Sequence, residues 1–160
     1  MQQYDSVGVL GVSCQARSVE LLSEENPTAT FVYFYGGDWI GHQDGFHPSV
    51  QTYVQAIEAA DKSIGLLVNA IKSRPSYGQE DWLVIVATDH GGKDKDHAGG
   101  QDHLEVTKVW AVFSGPSVSR SAAKDVPFLV DISRTILAHL KIEPESAWEL
   151  EGRVFAISPE

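Results

Sequence analysis

Cysteine and basic residues are scarce in this sequence. Cys14 is the single cysteine among 160 residues, which excludes an internal disulfide framework and a cysteine-rich zinc module. Lysine and arginine number 12 against 22 aspartates and glutamates, giving a formal net charge of −10 and a pI near 4.9. A chain this acidic does not hold nucleic acid or an anionic membrane through bulk charge. An anionic substrate would therefore need metal ions or a local basic cluster.

Long apolar runs are missing as well. Runs such as residues 83–87 are short, whereas a membrane-spanning helix needs about 20 residues. The first five residues lack the basic-then-apolar pattern of a secretory signal. As written, the sequence predicts a cytoplasmic protein, or a secreted or periplasmic one if a longer precursor carries a signal. Its length and its 42% hydrophobic composition are typical of one folded domain, residues 1–160.

Hydrophobic patterning predicts an α/β fold with a mostly parallel sheet. Apolar residues at helical spacing indicate helices, and runs of β-branched and aromatic residues indicate strands whose tyrosines and tryptophans belong to the core. The helices are predicted over 14–24 and 48–73 and from Asp131, which caps the last one, and the strands over 30–35, 82–87 and 107–113. The tail, residues 144–157, is predicted to wrap around the body in an extended form.

The order of strand, long helix and strand is typical of a βαβ unit. In open parallel sheets, ligand sites lie beyond the carboxyl ends of the strands. Here those ends are two predicted loops, residues 36–47 and 88–105, which contain five of the six histidines. We therefore expect any functional site to be built from these two loops.

Both loops carry paired aspartate and histidine residues. Asp38 and His42 lie in the first loop, and Asp89 and His90 lie in the second, with His97 further along. Carboxylate and imidazole are suitable zinc ligands, and two ions about 4 Å apart can clamp both oxygens of a phosphoryl transfer. Neighbouring strand ends would bring the pairs together. Each pair also has a simpler interpretation, as a turn capped by Asp38 or a turn with a surface histidine.

The other polar residues of these regions are weaker candidates. His47 and His103 are interpreted as surface groups, supports for a ligand or alternative ligands. The aspartates of the second loop, which lie among lysines, indicate a solvated face; they are Asp94, Asp96 and Asp102. His139, on the last predicted helix, is predicted to have no functional role.

Three segments, GDWIGH, VIVATDHGG and DHAGG, together resemble the alkaline phosphatase superfamily, and most of all its type I phosphodiesterase/nucleotide pyrophosphatase branch. The later DISRTILAHLKIEP and WELEGR are similar to the segment that closes the catalytic domain in many members. The resemblance covers roughly residues 14–155. It implies a three-layer α/β/α sandwich that hydrolyses phosphate or sulfate esters with two divalent ions, expected to be zinc.

The resemblance also assigns the ligands of the first metal ion. Asp38 and His42 match two of them, and His97 matches the third. The spacing of that third ligand varies among family members, so His103 competes with His97 for the role. A first site with three protein ligands would leave a coordination position open for water or substrate.

The second ion and the nucleophile are the incomplete parts of the pattern. Only Asp89 and His90 match ligands of the second ion, which should therefore bind weakly. The family normally opens with a strand that carries another metal-binding aspartate, followed by a Thr or Ser nucleophile. Asp5-Ser6 follows no identifiable strand, and Cys14 departs from the sulfatase cysteine motif, so it is better explained as a small apolar residue. The chain thus resembles the C-terminal half of such an enzyme, with an incomplete sandwich.

The first functional hypothesis is a metal-dependent hydrolase of small-molecule phosphate esters, impaired by the missing nucleophile segment. One alternative is a non-catalytic metal-binding or assembly module. Another is an activity like that of sulfatases or cofactor-independent phosphoglycerate mutases. A sheet without its leading strand exposes an edge, which predicts a homo-oligomer or pairing with a separate N-terminal half.

Overall fold

The computed structural model describes residues 12–123 and 125–157, which form a mixed α and β structure. Its elements in chain order are α1 Val12–Glu24, α2 Gly36–Asp44, α3 Gln51–Lys72, β1 Val84–Ala87, α4 Leu104–Thr107, β2 Ala111–Ser114 and α5 Asp131–His139. None of the helices in these ranges has both the length and the apolar character needed to cross a bilayer. The described residues divide into two compact units, 12–79 with 91–106 and 80–90 with the described part of 107–157. A single domain over 1–160 stays a prediction.

The first unit is built on α3, against which both α1 and α2 pack. This confirms the two helices predicted over 14–24 and 48–73, with shifted ends. α3 begins only at Gln51, because Pro48 lies in a turn in which the Val50 N–H donates to the His47 carbonyl at 2.9 Å. Full burial of one large aliphatic side chain contributes about 1.5–3 kcal/mol to the free energy of folding. The buried apolar side chains of this unit are Leu21, Leu22, Leu67, Ala70, Ile71 and Val106.

Arg74, just after α3, forms hydrogen bonds with residues at the end of α1. Its guanidinium is buried and its Nη1 donates to the carbonyls of Leu22 and Glu25, each at 2.7 Å. Its Nη2 donates to the Asn26 side chain. The last carbonyls of a helix have no partner within the helix, so a cation placed there satisfies them and also suits the helix dipole.

Replacing this buried arginine should destabilise the first unit. We expect Arg74→Met to lower the free energy of unfolding by about 3 kcal/mol, since it leaves buried carbonyls without charged donors. Arg17→Met is the matched control, because Arg17 forms only exposed ion pairs with Glu20 and Glu25 and its loss should change little. Urea unfolding of both variants checks this, and equal midpoints would contradict the role given to Arg74.

The aromatic segment 30–35 departs from its prediction. The structure assigns no strand to it, and its side chains alternate between half-buried and exposed: Phe31 is 81% and Tyr33 51% exposed. The prediction of a buried strand there is therefore wrong for this structure, as is the prediction that strand aromatics are core, since Trp110 is 54% exposed. An apolar β-branched run indicates compatibility with a sheet, but a strand also needs a neighbour to pair with.

The second unit contains one two-stranded sheet, and its strands are antiparallel. Val84 pairs with Ser114 and Ala87 with Ala111. The strands predicted over 82–87 and 107–113 are thus present in shortened form, and α4 takes up residue 107. The predicted parallel arrangement is not shown within the described ranges. Residues 88–110 return the chain alongside β1 in the opposite direction, whereas a parallel pair would need a crossover connection.

The C-terminal segment of the second unit is held by two buried side chains of α5. Asp131, predicted to cap this helix, is its first residue, and its carboxylate accepts the N–H groups of Phe128 and Arg153, each at 2.9 Å. The Thr135 hydroxyl donates to the Asp131 carbonyl at 2.7 Å and accepts the N–H of Phe155 at 3.0 Å. The tail therefore packs on this unit through hydrogen bonds as well as through its apolar side chains.

Candidate metal centre

Asp38 and His42 lie on a helix rather than in the predicted loop. α2 begins directly at Gly36 and places the two residues four positions apart, on one face. The carboxylate is in the first turn, where its negative charge suits the helix dipole, and the imidazole is in the last turn. His42 Nε2 lies 3.5 Å from Asp38 Oδ1. The pair is thus formed within a single short element of the first unit.

A tight turn brings His97 to the same carboxylate. Lys93 and Asp96 exchange backbone hydrogen bonds of 2.9 and 3.1 Å, with Asp94 in the left-handed conformation at φ 54°. The turn delivers His97 so that its Nε2 lies 3.8 Å from Asp38 Oδ1. Two imidazoles from separate segments of the first unit therefore face one carboxylate oxygen.

The Lys95 carbonyl fixes the orientation of the His42 ring. His42 Nδ1 lies 2.9 Å from this oxygen, which can only accept, so Nδ1 carries the proton. In the neutral ring, Nε2 then presents its lone pair towards Asp38. Metal-binding histidines commonly donate their other N–H to a carbonyl in this way. The Lys95 ammonium also donates to the Gln43 carbonyl at 2.7 Å, which ties the turn to the end of α2.

The Asp38 carboxylate lies 3.5 Å and 3.8 Å from the Nε2 atoms of His42 and His97, distances that approach those between ligands of one ion. Tetrahedral zinc with ligands near 2.0–2.1 Å requires ligand atoms about 3.3 Å apart, close to the separations of Asp38 Oδ1 from the two Nε2 atoms. The His42 and His97 rings lie 4.9 Å apart between centroids with an interplanar angle of 65°, a T-shaped contact and not a stack. Asp38 and His97 belong to a group of side chains whose ligand atoms lie within 4.8 Å of one another, a group that does not include His42.

His47 and His103 make other contacts. His47 Nδ1 accepts the Ser49 N–H at 3.1 Å, so the neutral ring carries its proton on Nε2, the reverse of His42. His103 Nδ1 lies 3.3 Å from the Lys93 ammonium, which donates to it. A neighbouring cation disfavours a bound metal ion, and this favours His97 over His103 as the third ligand.

Asp89 and His90 directly follow β1 in the second unit. The Asp89 side chain is 61% exposed, its Oδ1 accepts the His90 N–H at 3.1 Å, and its Oδ2 lies 3.8 Å from His90 Nε2. Their convergence with the pair on α2, which the motifs imply, stays a prediction.

The remaining residues selected from the sequence have local roles or lie outside the description. His139 donates from Nε2 to the Asp81 carbonyl at 2.9 Å, in agreement with a structural role. The three aspartates of the solvated face, Asp94, Asp96 and Asp102, are exposed as predicted. Asp5-Ser6 lies outside the described residues, and Cys14 falls within α1.

Comparison with known proteins decides the family. The model of the type I phosphodiesterase/nucleotide pyrophosphatase family matches residues 7–145, most of the chain. The chain belongs to this family. A 2,3-bisphosphoglycerate-independent phosphoglycerate mutase of Haloarcula marismortui is 26% identical over 134 residues, which cover 81% of this chain and 24% of that protein. The chain thus spans about a quarter of the relative's length, and the resemblance to the alkaline phosphatase superfamily is confirmed.

Two aromatic residues near His42 and Asp38 of this phosphodiesterase family chain were not identified from the sequence. The Phe46 ring lies 5.3 Å from the His42 ring and 5.7 Å from the Tyr53 ring, edge-on in both cases. Burial raises the pKa of the Tyr53 phenol, and the negative charge of Asp38 raises it further. Tyr53 lies within the predicted helix 48–73 and Phe46 lies in the predicted loop 36–47, and neither residue belongs to a motif.

The charge of Asp38 should be detectable through Tyr53. Asp38→Asn should lower the pKa of Tyr53, because an uncharged amide no longer disfavours the phenolate, while the larger effect of burial persists. Ultraviolet titration of tyrosinate, with Tyr53→Phe subtracted, measures this pKa. Asp44→Asn, on the same helix and bonded to Thr52, is the control and should leave the pKa in place. An equal pKa in wild type and Asp38→Asn would contradict the placement of Asp38.

Proposed function

We propose that this chain carries the metal centre of a phosphoester hydrolase of the type I phosphodiesterase family, with Asp38, His42 and His97 as ligands of one divalent ion. The observation that carries the proposal is the orientation of His42, whose Nδ1–H is held by the Lys95 carbonyl while Nε2 faces Asp38 Oδ1. Membership of the family supports the phosphoryl chemistry.

Each residue of the proposed site has a defined task. Asp38 contributes the one negative charge and His42 and His97 contribute neutral nitrogen donors, so an ion held there keeps net positive charge for an anionic substrate. When bound, the ion would polarise a phosphoryl oxygen and favour attack at phosphorus. The Lys95 carbonyl keeps the His42 ring in the ligating orientation. Because the chain has a net charge of −10, such an ion would supply the local positive charge that attracts a phosphate ester.

The proposal extends to parts of the family pattern that the described residues do not test. Asp89 and His90 are proposed as ligands of a second, weaker ion. A three-layer sandwich with a mostly parallel sheet is proposed for the whole family domain, to which this chain would contribute a part. Small-molecule phosphate diesters are the proposed substrates, and a second copy or an N-terminal half is the proposed partner.

Hydrolysis of nitrophenyl phosphate esters by the zinc-loaded chain tests the proposal. We expect slow turnover, faster on the diester than on the monoester, that stops when a chelator removes zinc and is lost in His42→Ala. His47→Ala is the matched control and should keep the activity, since His47 is engaged by Ser49. Activity that survives Asp38→Ala combined with His42→Ala would contradict the proposal.

A further inference from the structure

Phe46 sits where α2 and the segment 91–98 come together. A Cβ atom added to Gly41, on α2, would overlap the Phe46 ring, and so would a Cβ added to Gly92. The ring is therefore seated directly against the backbone of both segments. Only glycine permits so close an approach on either side.

The backbone around Phe46 reinforces this seat. The Phe46 N–H donates to the Asp94 carbonyl at 2.7 Å, inside the turn that delivers His97. Gly45, just before it, has φ 123°, a conformation that favours glycine, and a Cβ there would come within 3.3 Å of the Asp94 oxygen. The chain leaves α2 and meets the turn in one fixed geometry.

The ring also limits the movement of His42. The His42 imidazole meets the edge of the Phe46 ring at 84° and a centroid distance of 5.3 Å, while its Nδ1 is bound to the Lys95 carbonyl. Tyr53 of α3 also contacts the Phe46 ring edge-on, with the two rings at 69°. The contact with Phe46 thus fixes the ring plane of His42, and the hydrogen bond to the Lys95 carbonyl fixes its tautomer.

We propose that Phe46, seated between Gly41 and Gly92, is a positioning residue that sets the distance between His42 and His97 in the metal centre. The inference rests on the proposed function, since it assigns Phe46 a task towards the same ion. Phe46 contributes no donor atom. It acts through His42, whose ring it orients, and through the turn, whose distance from α2 it determines.

Cobalt titration of the full chain, followed by the visible absorption of bound Co²⁺, tests the proposal. Phe46→Leu and Gly92→Ala should each weaken Co²⁺ binding by about 10-fold and alter the spectrum, because the ligands lose their geometry. Phe46→Leu combined with Gly92→Ala should bind better than the product of the two losses predicts, since the smaller side chain makes room for the added methyl group.

A core variant separates positioning from general stability. Leu67→Ala removes buried volume from the same unit at a residue that has no assigned role at the metal centre, so it should lower stability and leave Co²⁺ affinity and spectrum unchanged in the folded protein. If the wild type binds Co²⁺ and folded Phe46→Leu binds it with the same affinity, this inference is overturned and the proposed function is left intact. Absence of Co²⁺ and Zn²⁺ binding by the wild type would overturn the proposed function itself.

Discussion

Zinc affinity should fall by roughly 100-fold or more when Asp38 and His42 are both replaced by alanine. Loss of a group that merely supports a ligand already weakens metal binding by about 10- to 100-fold, so loss of two ligands should exceed that range. The two residues are two of the three proposed ligands, and Asp38 Oδ1 lies 3.5 Å from His42 Nε2 and 3.8 Å from His97 Nε2. Isothermal titration of the full chain with Zn²⁺ measures the effect.

The remaining histidines supply the controls for this experiment. His97→Ala should also weaken zinc binding, whereas His47→Ala and His103→Ala should leave it nearly unchanged, because their Nδ1 atoms face Ser49 and Lys93. Retained affinity in His97→Ala, with lost affinity in His103→Ala, would transfer the third ligand to His103 and contradict our assignment.

The second large effect concerns stability and not metal binding. Asp131→Ala should lower the free energy of unfolding of the second unit by about 3 kcal/mol. Asp131 is only 1% exposed, and its removal leaves two partly buried N–H groups, those of Phe128 and Arg153, without their acceptor. Since Arg153 belongs to the tail, the tail should detach before the rest of the unit unfolds. Urea unfolding and limited proteolysis of the tail measure the two effects.

Two further variants sharpen this test. Thr135→Val preserves volume but removes the hydroxyl that accepts the Phe155 N–H, and it should cost about 1–3 kcal/mol. Asp125→Ala is the control, because Asp125 forms an exposed ion pair with Arg153 at 2.8 Å, and such pairs contribute little. A tail that is cleaved equally fast in Asp131→Ala and Asp125→Ala would show that the buried carboxylate does not hold it.

Periodicity predicted the long helices well and the sheet poorly. α3 has 22 residues with a continuous apolar stripe, enough turns to establish the pattern without reference to neighbours. The run 30–35 has strong strand composition, yet pairing depends on a partner that composition does not specify. α2 was missed because Gly36 and Gly37 weaken helix propensity, and its packing against α3 supplies the compensating stability.

The candidate ligands were proposed from the sequence, but their geometry could not be. The family resemblance implied Asp38, His42 and His97 as ligands of one ion, and that assignment stays a prediction. The Lys95 carbonyl, 53 positions away in the sequence, determines which ring nitrogen of His42 carries the proton. No local sequence pattern indicates such a contact. The role of Phe46 could not be predicted for the same reason, because its ring contacts Gly92 only when the segment 91–98 is folded against α2.

Side-chain nitrogen NMR of the histidines during zinc titration tests the central claim most directly. Long-range ¹H–¹⁵N spectra, assigned with single-histidine variants, report which ring nitrogen is protonated and which binds metal. We predict that the Nε2 signals of His42 and His97 shift on binding, and that His42 keeps its proton on Nδ1. Unchanged signals for both residues, with zinc instead moving those of His47 or His103, would contradict the account.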